Sequence, residues 1–337
     1  MKKRAIYSNA IRKKMDMKLK RYIYLDWNVI QYMKHERVVE GRFDAIQFKS
    51  FLQDLKNKYV FPASEGHLKD LAATFQEENR PYIEEDLSFL NEISEGFMLG
   101  MRPDEFLMPV KADINAEFNK IINESEVELE FSVEGGSYQV DMDKLSKTSL
   151  LRPFLEKSNG TLNSSVMDSF VKMMWHSIDD PDIYKTLRNE VESLHKTVPM
   201  QDTLINKECP YFKRVESFFD IGKISSLQEL EDKFEKIQSS FLAIDNRKIE
   251  ELTKGQKIEN AYMLLDFSPL FRDKINKKNR PTNMHRDLKN FFFASDAKYY
   301  VTEDDATYKK SKFVAKLLNL SVRVVKMDEL RLRLTCL

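Results

Sequence analysis

The sequence predicts an α/β fold in which a parallel sheet of about four or five strands, covered by helices, is interrupted by a long, mostly helical insertion. Three observations predict it. The runs RYIYLD (21–26), KYVFPA (58–63), KYYVT (298–302) and SVRVV (321–325) are β-branched or aromatic with little polar alternation, so both faces of each expect cover. Helical patterns separate or follow these runs, as in a parallel sheet. From about 97 to 276 helical patterns continue without a convincing buried strand.

Each element has its own signal. DAIQFKSFLQDLK (44–56) places Ile46, Phe48, Phe51, Leu52 and Leu55 on one helical stripe, which makes it a crossover helix between the first two strands. SEGHLKDLAATF (64–75) opens with Ser64 as N-cap and turns Leu68, Leu71, Ala72 and Phe75 inward. In the insertion, SVMDSFVKMMWHSI (165–178), DIYKTLRNEVESLH (182–195) and SLQELEDKFEKIQSSFL (226–242) read as helices. Gly135-Gly136 between alternating residues suggests a β-hairpin over 126–143. Pro281 and Thr282-Asn283 start a helix whose face carries Leu288, Phe291, Phe292 and Ser295, with Asp287 near its N-terminus. ATYKKSKFVAKLLNL (306–320) is the helix before the last strand. The expected division is a basic arm (1–20), the first part of the α/β core (21–96), the insertion (97–276) and the second part of the core (277–337).

Composition excludes several classes. At 337 residues and 42% hydrophobic, the chain can fill a sizeable core. Its 54 basic and 54 acidic side chains cancel, so only local charge can recruit a polyanion. Cys209 and Cys336 stand far apart, outside any CxxC or Cys/His spacing, which argues against a zinc site or disulfide framework and for a reducing compartment. No apolar run reaches the roughly 18 residues of a membrane span, and no signal core follows the basic N-terminus. A cytoplasmic protein without membrane contact is the expectation, and its basic arm reads as a solvated tail.

MHRDLKNFFFASDAKYYVTEDD (284–305) begins like a protein-kinase catalytic loop. It is not one. The metal-holding asparagine belongs five positions after the aspartate, where Phe292 stands, and Asn290 comes too early. The strand YYVT instead runs into Glu303, Asp304 and Asp305, just as YIYL runs into Asp26. Open parallel sheets place ligands at these carboxyl ends. With Asp287 on one helix and Asp70 on another, four carboxylates can converge at one sheet edge. Crowded carboxylates without basic partners point to a hard cation, Mg2+ or Mn2+.

In this order the motifs YLDWNVI (24–30), YVFPASEGHLKDL (59–71), HRDLKNFFFASDAKYYVTEDD (285–305) and FVAKLLNLSVRVVKMDEL (313–330) resemble the PIN domain superfamily of metal-dependent nucleases, in its PIN-like form of bacterial toxins and defence proteins. The resemblance covers residues 20–96 and 280–330, about half of the chain. It implies that Asp26, Asp70, Asp287 and Asp304 are the catalytic and metal-holding acids, with Asp70 where the family more often has glutamate and Glu65 as the alternative. Thr302 matches a small hydroxyl residue supporting the last acid, and Asn28 the polar residue two after the first. Asp305, Ser64 and His67 are further supporting candidates. His67 could orient a phosphate, although a lone histidine on a helix is more often a core or surface residue.

The implied activity is hydrolysis of phosphodiester bonds, with an endoribonuclease acting as toxin or antiphage effector in front. The alternatives are a DNA nuclease of the flap or 5′-nuclease kind and a catalytically inactive scaffold binding nucleic acid or protein. The expected partners are an RNA substrate, or DNA, and an inhibitor or defence-system protein; the oligomeric state stays open. Arg280, Arg286, Lys277 and Lys278 before Asp287, and Lys309 and Lys310 after Asp304, supply positive charge for a polyanion. Trp27 and Phe291–Phe293 could stack on bases, with core packing favoured for the phenylalanines. His176 beside Asp179 and Asp180 reads as coincidence rather than a second metal site.

Overall fold

A computed structural model describes residues 21–123, 138–143, 145–177, 180–196, 216–243, 247–275 and 280–335. These fall into two compact units, one formed by the chain up to Ser125 together with Lys289–Leu337, the other by Glu126–Leu288. The expected arm at 1–20 and the first part of the expected hairpin lie outside the described residues.

The first unit opens with β1 (Arg21–Leu25), which runs straight into α1 (Trp27–Lys34). A short antiparallel pair, β2 (Val38–Val39) and β3 (Phe43–Asp44), leads into α2 (Ala45–Leu55). Ala45, Phe48, Leu52 and Leu55 are buried along α2. Ile46, expected on that stripe, is 50% exposed. One residue after Ala45 means roughly 100° around the helix, which carries Ile46 off the buried face. Then come β4 (Tyr59–Val60), α3 (Glu65–Ala72) capped by Ser64, and α4 (Arg80–Ser94).

β5 (Phe97–Met101) and β6 (Leu107–Lys111) form an antiparallel hairpin, followed by α5 (Ile114–Asn123). These elements belong to the first unit, so the units divide at 125/126 and 288/289 rather than at 96/97 and 276/277. Gly100 and Pro109 mask the hairpin in the sequence, because neither residue type favours a strand.

The second unit is mainly helical among its described residues. β7 (Tyr138–Gln139) pairs antiparallel with β8 (Thr161–Leu162), and α6 (Arg152–Lys157) lies between them in sequence. α7 (Ser164–His176), α8 (Pro181–Lys196), α9 (Leu227–Leu242) and α10 (Lys254–Leu264) follow. Ser226 caps α9, and Thr253 with Gln256 makes a reciprocal capping box on α10, so the orphan N–H groups of both helices find acceptors. Arg188 of α8 is buried against Asp266, whose Oδ2 also accepts the Tyr184 hydroxyl at 2.8 Å. The Arg188 guanidinium additionally donates to the Asp273 carbonyl at 2.6 Å.

α11 (Pro281–Ala294) begins in the second unit and ends in the first. Pro281 sits at its first position, as expected, and Asp287 therefore falls in the second turn. β9 (Tyr299–Val301), α12 (Asp305–Leu317), β10 (Arg323–Val325) and α13 (Met327–Thr335) complete the chain.

The four strands β10-β9-β1-β4 form one parallel sheet in that order. Beyond β4, Ala63 makes an isolated parallel bridge to Met98, which joins the edge of β5 to the same side. Ile23, Leu25, Tyr299, Val301 and Val325 lie in one apolar core with Val29, Ile30, Phe48, Leu52 and Leu330 from the covering helices. At about 1.5–3 kcal/mol for each large apolar side chain fully buried, this core is the main source of the unit's stability. The alternate residues Tyr22, Tyr24 and Tyr300 are also buried, with Tyr300 against Phe291 of α11 at 6.0 Å between ring centroids. Both faces being covered explains why the strands show no polar alternation.

Because β1 leads to β4 on one side and receives β9 on the other, the sheet order reverses between β1 and β9. The carboxyl ends of these two strands therefore meet at the switch point, the place where open parallel sheets form their ligand crevice.

Candidate functional site

Asp26 is the residue at which β1 ends and α1 begins. Its backbone N–H still joins the sheet, donating to the Val301 carbonyl at 2.9 Å, while its Oδ1 accepts the Trp27 N–H at 2.9 Å as the N-cap of α1. Its Oδ2 accepts from the Thr302 hydroxyl at 2.6 Å and the Asn28 amide at 2.8 Å. All three donors are neutral. Asp26 is only 3% exposed, and burial pushes its carboxyl up to about 7, with the charges of Asp70 and Asp304 adding to the rise and the Thr302 and Trp27 hydrogen bonds opposing it.

Thr302, fully buried just past β9, joins two acids. Its Oγ1 donates to Asp26 and accepts the Asp304 N–H at 3.2 Å. Asp304 is the N-cap of α12, its Oδ1 accepting from Thr307 N–H at 2.7 Å. Asn28 completes the link, since its Oδ1 accepts the Glu303 N–H at 3.2 Å. The crevice is thus laced together by one threonine, one asparagine and two helix caps.

The third acid comes from α3. Asp70 Oδ2 accepts from the Asn290 amide at 2.9 Å, and its charge reaches Asp26. Glu65, the alternative, instead turns to the surface and pairs with Lys69 at 2.5 Å. Asp305 likewise faces away, 2.9 Å from Lys326 and 3.4 Å from Arg42, and its carboxyl is held down chiefly by Lys326. Glu303 is buried and accepts the Met327 N–H at 2.8 Å, where it meets the first turn of α13, and burial pushes its carboxyl up.

His67 is a core residue. Its Nε2 meets the Leu25 carbonyl at 2.8 Å, its ring stacks on Tyr24 at 4.8 Å, and burial pushes it down to about 4. A neutral, enclosed imidazole of this kind does not orient a phosphate. Ser64 caps α3 as expected, accepting from His67 N–H at 3.3 Å. Trp27 tilts against His67, and Phe291 and Phe293 are buried, as core packing required.

Of the basic candidates, Lys309 and Arg280 are exposed, while Arg286 is half-buried and donates to Asn283. Lys310 is 1% exposed, because it shares the inner face of α12 with Thr307, Ser311 and Val314 and so is closed to a surface polyanion. Lys277, Lys278, Asp179 and the His176 side chain lie outside the described residues and side chains. Asp287 lies on the part of α11 that belongs to the second unit.

Sequence reasoning missed Tyr24, Gly66 and Asn290. The Tyr24 hydroxyl donates to Asn290 Oδ1 at 2.7 Å and lies 2.6 Å from Ser64 Oγ. A Cβ on Gly66 would stand 2.5 Å from Asn290 Oδ1. Two signals were present: an asparagine inside a helix among phenylalanines, and a glycine inside a helix, both poor helix formers retained for another reason.

By donor type the crevice suits a hard cation: three carboxylates, one desolvated among neutral donors, with Thr302 and Asn28 orienting it. Among the described residues, no three acidic, histidine or cysteine side chains converge closely enough to hold an ion as they stand. Asp304 is engaged with its cap and Asp70 with Asn290. Among the described residues no helix is long and apolar enough to cross a membrane. No family model, curated protein or solved structure matches the chain.

Proposed function

We propose that this protein is a divalent-cation-dependent nuclease of the PIN-like kind, hydrolysing phosphodiester bonds, with RNA as substrate and a toxin or antiphage role. One observation carries the reading. Asp26 is buried at the carboxyl edge of a parallel sheet, at its switch point, with only neutral hydrogen-bond donors and two further carboxylates acting on it. A carboxylate so placed is costly on its own and gains most from a cation beside it.

Asp26, Asp70 and Asp304 are the residues that would hold Mg2+ or Mn2+. When bound, the ion supplies Lewis acidity toward water and a charge to meet the phosphate. Thr302 and Asn28 keep the Asp26 oxygens oriented. Lys309, exposed on α12 beyond Asp304, adds positive charge for the phosphate backbone. The choice of RNA over DNA rests on the family resemblance alone.

The test is cleavage of total RNA and of single-stranded DNA by the purified full chain, with Mg2+, with Mn2+ and with chelator. Metal-dependent cleavage, lost in Asp26→Asn and Asp304→Asn, is expected. Asp287→Asn, which the resemblance assigns to the same role, enters as a further variant. Absence of cleavage of either polymer, or cleavage indifferent to Asp26→Asn, overturns the reading.

A further inference from the structure

Asp26 and Asp304 are held by the helices they cap, whereas Asp70 stands in the last turn of α3. A hydrogen bond from a remote part of the chain reaches it. Asn290 Nδ2 donates to Asp70 Oδ2 at 2.9 Å, while Asn290 Oδ1 accepts from the Tyr24 hydroxyl at 2.7 Å. With its proton directed to Asn290, the Tyr24 oxygen accepts from Ser64 Oγ at 2.6 Å, and Ser64 Oγ in turn accepts from His67 N–H.

The hydrogen bonds thus run in one direction, Ser64 to Tyr24 to Asn290 to Asp70, and each polarises the next. The direction removes the usual ambiguity of an amide. Asn290 can offer its NH2 to Asp70 only because its oxygen is taken by Tyr24.

Burial makes the arrangement rigid. Asn290 is 1% exposed, and Tyr24 and Ser64 are enclosed completely. Room for the amide exists because position 66 has no side chain: the absent Cβ would lie 2.5 Å from Asn290 Oδ1 and 3.2 Å from Ser64 Oγ. Glycine inside a helix costs about 0.5–1 kcal/mol relative to alanine, and here it clears the seat of the amide.

We propose that Asn290 is the positioning residue for Asp70, oriented by Tyr24 and Ser64 and admitted by Gly66. The proposal rests on the reading that Asp70 helps hold a divalent cation. Partners of this kind typically change metal affinity by about 10–100-fold.

Mn2+ affinity of the full chain, measured by isothermal titration calorimetry, tests it, with thermal melts as a check on folding. Tyr24→Phe keeps the ring and removes only the hydroxyl, so it should fold and bind Mn2+ about tenfold more weakly. In an Asp70→Asn background the same change should alter Mn2+ affinity less than about twofold, because coupled residues are not additive. Gly66→Ala should weaken Mn2+ binding as Tyr24→Phe does. If Asp26→Asn abolishes Mn2+ binding while Tyr24→Phe leaves it unchanged, the positioning role is overturned and the cation reading stands. A Tyr24→Phe effect equally large in both backgrounds also overturns it. A wild-type chain that binds no Mn2+ at millimolar concentration overturns both.

Discussion

Asp26 carries the main electrostatic burden of the crevice, and its titration can be read as stability. An unfolded aspartate titrates near 3.8, whereas in the fold burial pushes the Asp26 carboxyl up to about 7. Between these values the folded chain keeps a proton that the unfolded chain has lost, so stability falls as pH rises from about 4 to about 7. His67 works in the opposite sense. Burial pushes it down from 6.5 to about 4, so its contribution is complete above about 6.5 and is lost on acidification toward 4. Asp26→Asn removes the first effect and leaves the second. In chelator, denaturant titrations should find the variant close to wild type at pH 4 and more stable at pH 8, by on the order of 4 kcal/mol. A variant no more stable than wild type at pH 8 would mean that Asp26 is better solvated than its 3% exposure implies.

At the scale of elements, Asp304 has two duties that a single substitution can separate. It caps α12 through Thr307 N–H, and it is one of the proposed cation-holding acids. Asparagine caps a helix about as well as aspartate, and alanine costs about 1 kcal/mol. Asp304→Asn is therefore expected to melt near wild type yet lose cleavage, whereas Asp304→Ala loses both cap and cleavage. Retained cleavage in the asparagine variant would leave Asp304 as a cap only. In the second unit, the buried pair Arg188–Asp266 ties α8 to the turn after α10. Arg188→Met removes the buried guanidinium that pairs with Asp266 and should cost about 3–5 kcal/mol in chemical denaturation. Arg188→Met with Asp266→Leu should cost less, since both members of the pair are then gone, although Tyr184 loses its acceptor.

For the whole molecule, a cation bound at the crevice adds stability by mass action. At a free concentration 100 times its Kd it contributes about 2.7 kcal/mol. Mn2+ should raise the melting temperature of the wild type and leave Asp26→Asn unmoved; equal shifts in both would place the ion elsewhere. Polyanion binding should be local, because the 54 acidic and 54 basic side chains cancel. Arg42, Lys326 and Lys309 act together on Asp305, beside Asp304, and form one such cluster. If nucleic acid contacts this cluster, Lys309→Glu should lower affinity uniformly across sequences and reduce the salt dependence by about one phosphate contact.

The sequence by itself determined the four strands of the parallel sheet, the helices that follow them and the acids at their ends, because those relations are local. Tyr22 to Leu25 reads as a strand covered on both faces, and Asp26 must then sit where β1 becomes α1; the same holds for β9, Thr302 and Asp304. Only the tertiary structure decided which remote groups meet. It brought Asp70 rather than Glu65 to Asn290, a partner 220 residues away, enclosed Lys310 and His67, turned Asp305 outward, and joined the β5–β6 hairpin to the first unit. Periodicity fixes the face of an element on which a side chain lies, within about a turn, but the distance between two elements exists only after both pack on the same sheet.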